Sequence, residues 1–271
     1  MNKRRAVVIA GDTRTWEHSI HSAHELLDGA DVYISVWSNS SYSHKVKPRL
    51  LYRHAPIYID RVYALLAQYN VRGVRIENHD LSHWQPKGYN ANYLHRLRVG
   101  IDLVRLSGIE YDSVFFMRPD VFYEQHGMQT LVAAVANVQP GQFVTMLSGD
   151  QRVNTHKTLN DWMFAVAPTD FDLAVPTVEE FQAHKHEDWH TFLRWWVVER
   201  SGLQVVNVDA PRVVILRPQA RSGMSFDDAL HNSEAWDDLY VLHCINLEGI
   251  RTACIRWGKH AVIRAVQNLT L

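Results

Sequence analysis

Ala6-Val-Val-Ile-Ala10 is an unbroken apolar run stopped by Gly11-Asp12, and it predicts a short strand buried on both faces. A helix is predicted over 16–27, closed by Asp28-Gly29. Val32, Ile34 and Val36 then alternate with Tyr33, Ser35 and Trp37, the period of a second strand. Beyond a loop rich in serine and basic residues, a helix is predicted over 57–69 and a short strand over 74–77. The clearest helix is 90–107. Leu94, Leu97, Ile101 and Val104 share one face, Arg98 and Asp102 stand as an i,i+4 pair, and Gly108 ends it. Strands are predicted over 113–117, 142–147 and 162–166, the last two separated by the polar loop 148–161. A helix over 188–200 and a strand over 203–208 follow.

Strands alternating with helices imply an α/β fold, a mostly parallel central sheet with helices on both faces. Nothing resembles a linker, a repeat or a low-complexity tract, so one domain spanning 1–271 is expected. Composition narrows this further. With 46% hydrophobic and 21% charged residues the chain is globular rather than disordered. A net charge of −1 does not mark a nucleic-acid binder or a membrane-surface protein. Cys244 and Cys254, the two cysteines, exclude a disulfide framework and a cysteine-rich metal site. The apolar run after Met1-Asn2-Lys3-Arg4-Arg5 is too short for a signal peptide, and no segment approaches the ~20 apolar residues of a membrane span. A soluble, cytoplasmic protein without a transmembrane segment is the expectation.

In such sheets ligands bind beyond the carboxyl ends of the strands, which directs attention to the residues after Ala10, Met117 and Val166. Gly11-Asp12-Thr13-Arg14-Thr15 offers close backbone approach, hydroxyls for phosphate oxygens and an arginine for a diphosphate. The same residues also make an ordinary turn with a helix cap at Thr13 or Thr15. Met117-Arg118-Pro119-Asp120 sets a carboxylate beside an arginine, suited to an anionic substrate held through a metal or the guanidinium, or simply to a surface ion pair. Neither G-x-G-x-x-G nor a Walker loop occurs, which disfavours dinucleotide enzymes and P-loop NTPases.

Taken in order, Gly11-Asp-Thr-Arg-Thr-Trp16, Ala30-Asp-Val-Tyr-Ile-Ser-Val-Trp37, Tyr111-Asp-Ser-Val-Phe-Phe-Met-Arg-Pro-Asp-Val-Phe122 and Asn160-Asp-Trp-Met-Phe-Ala165 resemble a broad group of bacterial and viral glycosyltransferases of the GT-A fold. The resemblance spans about 5–200. It implies transfer of a sugar from a nucleotide-diphosphate donor to a hydroxyl, with a Rossmann-like nucleotide-sugar-binding half (1–125) and an acceptor and catalytic half (126–271). It implies that Gly11, Asp12, Thr13, Arg14 and Thr15 hold the donor. Asp120 would stand where the D-x-D motif of that fold binds Mg²⁺ or Mn²⁺, with His243 as a late metal ligand. The chain departs from D-x-D: Arg118 takes the first acidic position and could itself neutralise the leaving diphosphate. An acidic pair at a helix start, Glu187-Asp188, completes the likeness. The chemistry suits these residue types independently, because cations stabilise a departing phosphate and an inverting reaction needs a carboxylate for the acceptor proton. Asp188, Glu187 and Asp161 are the candidates, in that order.

One motif competes. His186-Glu187-Asp188-Trp189-His190 matches H-E-x-x-H, the zinc-binding helix of metallohydrolases. It lacks the His-x-x-Gly-x-x-His extension, since Leu193 stands at the glycine position, and it accounts for none of the strand ends. His18, His21 and His24 do not share one helical face, so a solvated helix surface is expected there rather than a metal cluster. Trp189, Trp195 and Trp196 are expected in the core rather than as a sugar platform. The acceptor is expected to be a surface-type glycan. The basic stretch 44–54 keeps hydroxymethylated DNA as the alternative acceptor.

Overall fold

A computed structural model describes residues 3–13, 15–38, 58–78, 89–146, 159–184, 189–209, 211–215 and 223–231. The mostly parallel α/β sheet predicted from the alternation is present. Strands β1 (Arg5–Asp12), β2 (Asp31–Trp37), β3 (Asn70–Glu77), β4 (Ser113–Met117), β6 (Gln142–Met146), β7 (Met163–Val166) and β8 (Gln204–Val208) form one sheet in the order β3-β2-β1-β4-β7-β6-β8. Every pairing is parallel except those of β7, which runs antiparallel to both β4 and β6. β5 (Val121–Tyr123) leaves this sheet and pairs antiparallel with β9 (Val213–Ile215).

The continuous apolar run of β1 has the burial that its pattern requires. Val7 and Ile9 enter one core cluster and Ala6, Val8 and Ala10 the other, so side chains alternate between two covered faces. The first face carries α1 (Trp16–Ser19), α2 (His24–Leu27), α3 (Ile59–Leu65) and α5 (Met128–Ala136). The second carries α4 (Tyr89–Leu106), α6 (Phe171–Ala174), α7 (Val178–Ala183) and α8 (Trp189–Arg194), the last continued by a π-helical turn, Trp195–Arg200. Trp189 and Trp196 are buried there at 5% exposure, as expected of core residues.

Three expectations change. The helix predicted over 16–27 is interrupted by a 3-10 segment, Ile20–Ala23. Ser19 Oγ bonds back to the carbonyls of Thr15 and Trp16, and Ser22 Oγ to that of Ser19, the back-bonding that distorts helices. Arg98 pairs not with Asp102 but with Asp172 at 2.8 Å and the Val175 carbonyl at 2.9 Å, tying α4 to α6. β3 is longer than predicted, and its first residues reach a polar cluster at the amino edge of the sheet. There Asp31 accepts from Arg4, Arg72, Tyr111 and Asn70. Burial opposes its ionisation, yet Tyr111, Arg72 and Arg4 together hold its carboxyl below the usual range.

α4 lies very close to β1 and β2. A Cβ on Gly100 would meet Val8 Cγ1 at 2.4 Å, so only glycine allows this approach, and Ser35 Oγ donates to the Arg96 carbonyl at 2.7 Å. The first turns of α4 are thereby pressed against the carboxyl ends of the strands.

Candidate functional site

The strand order reverses at β1. From β1 the chain steps outward to β2 and β3, then returns so that β4 lies on the other side of β1. Connections therefore diverge above the carboxyl ends of β1 and β4, the place where open α/β sheets form a crevice. Gly11 stands at that end of β1 with φ 127, and a Cβ there would meet Pro119 Cδ at 3.5 Å and the Tyr93 ring at 3.6 Å. Thr13 Oγ1 donates to the Trp37 carbonyl at 3.2 Å, joining the ends of β1 and β2. Thr15 occupies the N-cap position of α1, but its side chain makes no capping bond, and its buried Oγ1 has no hydrogen-bond partner among the described residues. Asp12, half-buried, closes the strand opposite Trp37.

At the end of β4, Arg118 donates to Asp120 through two parallel bonds, Nε to Oδ1 at 2.9 Å and Nη2 to Oδ2 at 2.7 Å. This is not the surface pair that the residue types alone allow. Arg118 is 7% exposed and Asp120 1%. The Arg118 amide donates to the Trp162 carbonyl at 3.0 Å, and its guanidinium lies 5.8 Å from the centre of the Tyr93 ring. The adjacent Pro119 carbonyl accepts from Ser19 Oγ, so α1 also fixes this turn.

Because β7 runs antiparallel to β4, the residues just before it lie at the same edge. Asn160 Oδ1 accepts from the Trp162 amide at 2.8 Å, a side-chain turn that enters β7 and sets Asp161 against Tyr93. Tyr93 Oη donates to the Asp161 carbonyl at 2.8 Å. The Asp161 carboxylate is buried; Oδ2 accepts from Trp189 Nε1 at 2.7 Å, while Oδ1 has no hydrogen-bond partner among the described residues and lies 3.5 Å from His190 Nδ1. His190 Nδ1 sits 3.0 Å from the Leu159 carbonyl, which anchors α8 to the same loop.

On the β2–β3 side, Arg96 is fully buried, with its guanidinium 4.3 Å from the centre of the Trp37 ring and Nη2 2.6 Å from Glu77 Oε2. Nε and Nη1 have no hydrogen-bond partner among the described residues. Burial opposes ionisation of Glu77, but Arg96, Arg75 and His95 outweigh it and bring its pKa to about 2. Burial, reinforced by Arg96, lowers the pKa of His95 and favours its neutral form.

Gly11, Asp12, Thr13, Thr15, Arg118, Asp120 and Asp161 thus gather at one edge of the sheet. Arg14, His186, Glu187, Asp188 and His243 lie outside the described residues, as does the basic stretch 44–54. Sequence reasoning missed Tyr93, Trp37 and Glu77. Asn92 and Arg96, polar residues in the first turns of an otherwise apolar-faced helix, were the available signal.

The divalent ion that the family resemblance implies is tested by the donor set. Both Asp120 oxygens are engaged by Arg118, and among the described residues no three His, Cys, Asp or Glu side chains converge. As the Arg118–Asp120 pair stands, these residues do not fit Mg²⁺ or Mn²⁺, because an ion would first have to break a buried two-bond ion pair. The zinc-hydrolase alternative likewise finds no support among the described residues. No helix among them is long and apolar enough to cross a membrane.

No protein-family model matches this chain, and no curated protein matches it in sequence. The fold comparison aligns it with glucosyl-3-phosphoglycerate synthase from Mycobacterium tuberculosis, a structure in complex with Mn²⁺, UDP and phosphoglyceric acid, at 14% identity and a TM-score of 0.44 over 89% of this chain and 78% of that one. It also aligns with the glycosyltransferase GlyE of Streptococcus pneumoniae TIGR4, in its apo form at 11% identity and in a second structure at 12%, both with a TM-score of 0.45 over 76% of this chain. The chain spans 45% of the length of GlyE.

Proposed function

We propose that this chain is a nucleotide-sugar-dependent glycosyltransferase of the GT-A type, acting on a glycan hydroxyl. The observation that carries the reading is the meeting, at the β1–β4 reversal where the topology calls for a crevice, of Gly11 on one strand with the buried Arg118–Asp120 pair on the other. In this reading the diphosphate of the donor lies across the end of β1, where Gly11 to Thr15 approach it through backbone and hydroxyl groups. Asp120 holds the Arg118 guanidinium in one orientation, so the cation is preorganised towards the leaving diphosphate instead of reorienting during reaction. The acceptor oxygen bonds to the anomeric carbon as the bond to the diphosphate oxygen breaks, and the diphosphate departs with the electron pair. A carboxylate takes the acceptor proton. Asp161 is the candidate among the described residues, because Oδ1 is left without a hydrogen bond while Trp189 fixes Oδ2. Glu187 and Asp188 remain the other candidates for that role.

A thermal-shift panel of nucleoside diphosphates and their sugar conjugates tests this reading. At least one should raise Tm in wild type, and Arg14→Ala should remove most of that rise. Absence of any shift across uridine, guanosine, adenosine, cytidine and thymidine diphosphates would defeat the assignment of the crevice.

A further inference from the structure

A cavity of about 560 Å³ opens on the α1–α2 flank of the sheet, within the ~300–1,000 Å³ range of small-ligand sites. It is not the crevice. None of Gly11, Arg118, Asp120 or Asp161 lines it, and Gln68 and Tyr69 enter it just before β3, at the opposite end of that strand from Glu77.

Its lining is aromatic on its faces and polar at its edges. Phe122, Tyr69 and Phe226 supply rings; His21, His24, Gln68, Gln125 and Ser225 supply hydrogen-bonding groups. Among the described residues, no Asp, Glu, Lys or Arg lines it. His21 carries a pKa lowered by burial and by His18, which favours the uncharged imidazole. The described lining residues offer no carboxylate, ammonium or guanidinium as counterion to a diphosphate, a nucleic-acid backbone or a charged peptide. Such a lining suits a neutral ligand that presents apolar C–H faces to rings and hydroxyls to imidazoles and amides.

The rings are held before any ligand arrives. His21 meets Phe122 edge-on with centroids 5.4 Å apart, and Phe226 lies 6.4 Å from Phe122. Arg212 stands 4.8 Å from the centre of Phe226 and is itself fixed by two bonds to Glu124, at 2.8 and 2.7 Å. Gln125 Nε2 donates to the Ser22 carbonyl at 2.9 Å, and the Tyr123 amide to Ser22 Oγ at 3.0 Å, locking β5 against the 3-10 segment. Ser225 caps the helix over 226–231 by accepting from the Asp228 amide at 3.1 Å. Such preorganisation lowers the ordering cost of binding.

We propose that this cavity is a binding site for a neutral saccharide, separate from the β1–β4 crevice. The inference does not rest on the transferase reading, since a site of this chemistry would hold sugar whether or not the crevice binds a nucleotide.

The test is saturation-transfer NMR and calorimetry on the full chain with maltotriose, cellotriose and chitotriose as probes. At least one should bind, with the strongest saturation on ring C–H protons. Phe226→Ala should weaken that binding by tenfold or more, and His24→Trp, a bulky residue at an exposed lining position, should block it without lowering Tm. Excess uridine diphosphate should leave the bound saccharide in place. No binding by any probe, or binding unchanged in both variants, would overturn the proposal. Displacement by uridine diphosphate would overturn the separateness of the site by assigning the sugar to the crevice. Failure of the nucleotide to bind at all, with saccharide binding intact, would count against the crevice alone.

Discussion

Arg118→Met removes both hydrogen bonds that the guanidinium makes to a carboxylate only 1% exposed, and with them the positive charge of the pair. Breaking a buried ion pair from one side costs about 3–5 kcal/mol, because the remaining charge stays buried and has lost that partner. That is a large share of the ~5–15 kcal/mol by which such domains are stable, and it corresponds to a fall in Tm on the order of 10 °C. The double variant Arg118→Met/Asp120→Leu removes both charges and should return stability to within about 1–2 kcal/mol of wild type. Urea denaturation of the three proteins measures all of this. An Arg118→Met variant within ~1 kcal/mol of wild type would refute the reasoning, because Asp120 could not then be a buried charge dependent on Arg118.

Asp161→Asn keeps an oxygen to accept from Trp189 Nε1 but loses the base, so donor-dependent transfer should fall by about 10²–10⁴-fold with little change in Tm, as steady-state kinetics and calorimetry will show. Gly100→Ala gains ~1 kcal/mol of helix propensity but forces a methyl to 2.4 Å from Val8 Cγ1. Overpacking costs of about 1–3 kcal/mol or more should win, and adding Val8→Ala should recover part of the loss measured by urea denaturation. Glu77, with its pKa lowered to about 2, and Asp31, also lowered, contribute stability that is full above the unfolded carboxylate range near pH 4. That contribution should disappear as pH falls from there towards 2, and Glu77→Gln should flatten the acid limb of a Tm–pH profile.

The strands were legible wherever burial imposes a pattern. Ala6 to Ala10 and Ser113 to Met117 are covered on both faces, and an unbroken apolar run is the trace this leaves. β5 and β9 were missed because three residues are too few to display a period. α5 was missed because it starts behind Gly127 at φ 85, where no Ser, Thr, Asp or Asn marks a cap. The strand-end rule singled out Gly11, Asp12, Thr13, Thr15, Arg118 and Asp120, which the structure gathers at one edge of the sheet, because the rule depends on chain order alone. The burial of the Arg118–Asp120 pair was invisible, because it depends on α1 and β7, which pack there from distant parts of the chain. Arg96 on Trp37 and Trp189 on Asp161 are long-range contacts of the same kind, and residue spacing carries no trace of them.

The central claim is that the β1–β4 crevice breaks the bond between a sugar and a nucleoside diphosphate. Its most direct measurement is the release of nucleoside diphosphate from a panel of nucleotide-sugars, with and without added glycans, by wild type and by Arg118→Met/Asp120→Leu. Wild type should turn over at least one donor, stimulated by a glycan, and the folded double variant should lose that turnover by at least 10²-fold. Equal turnover by the two proteins, or no release from any donor, would contradict it.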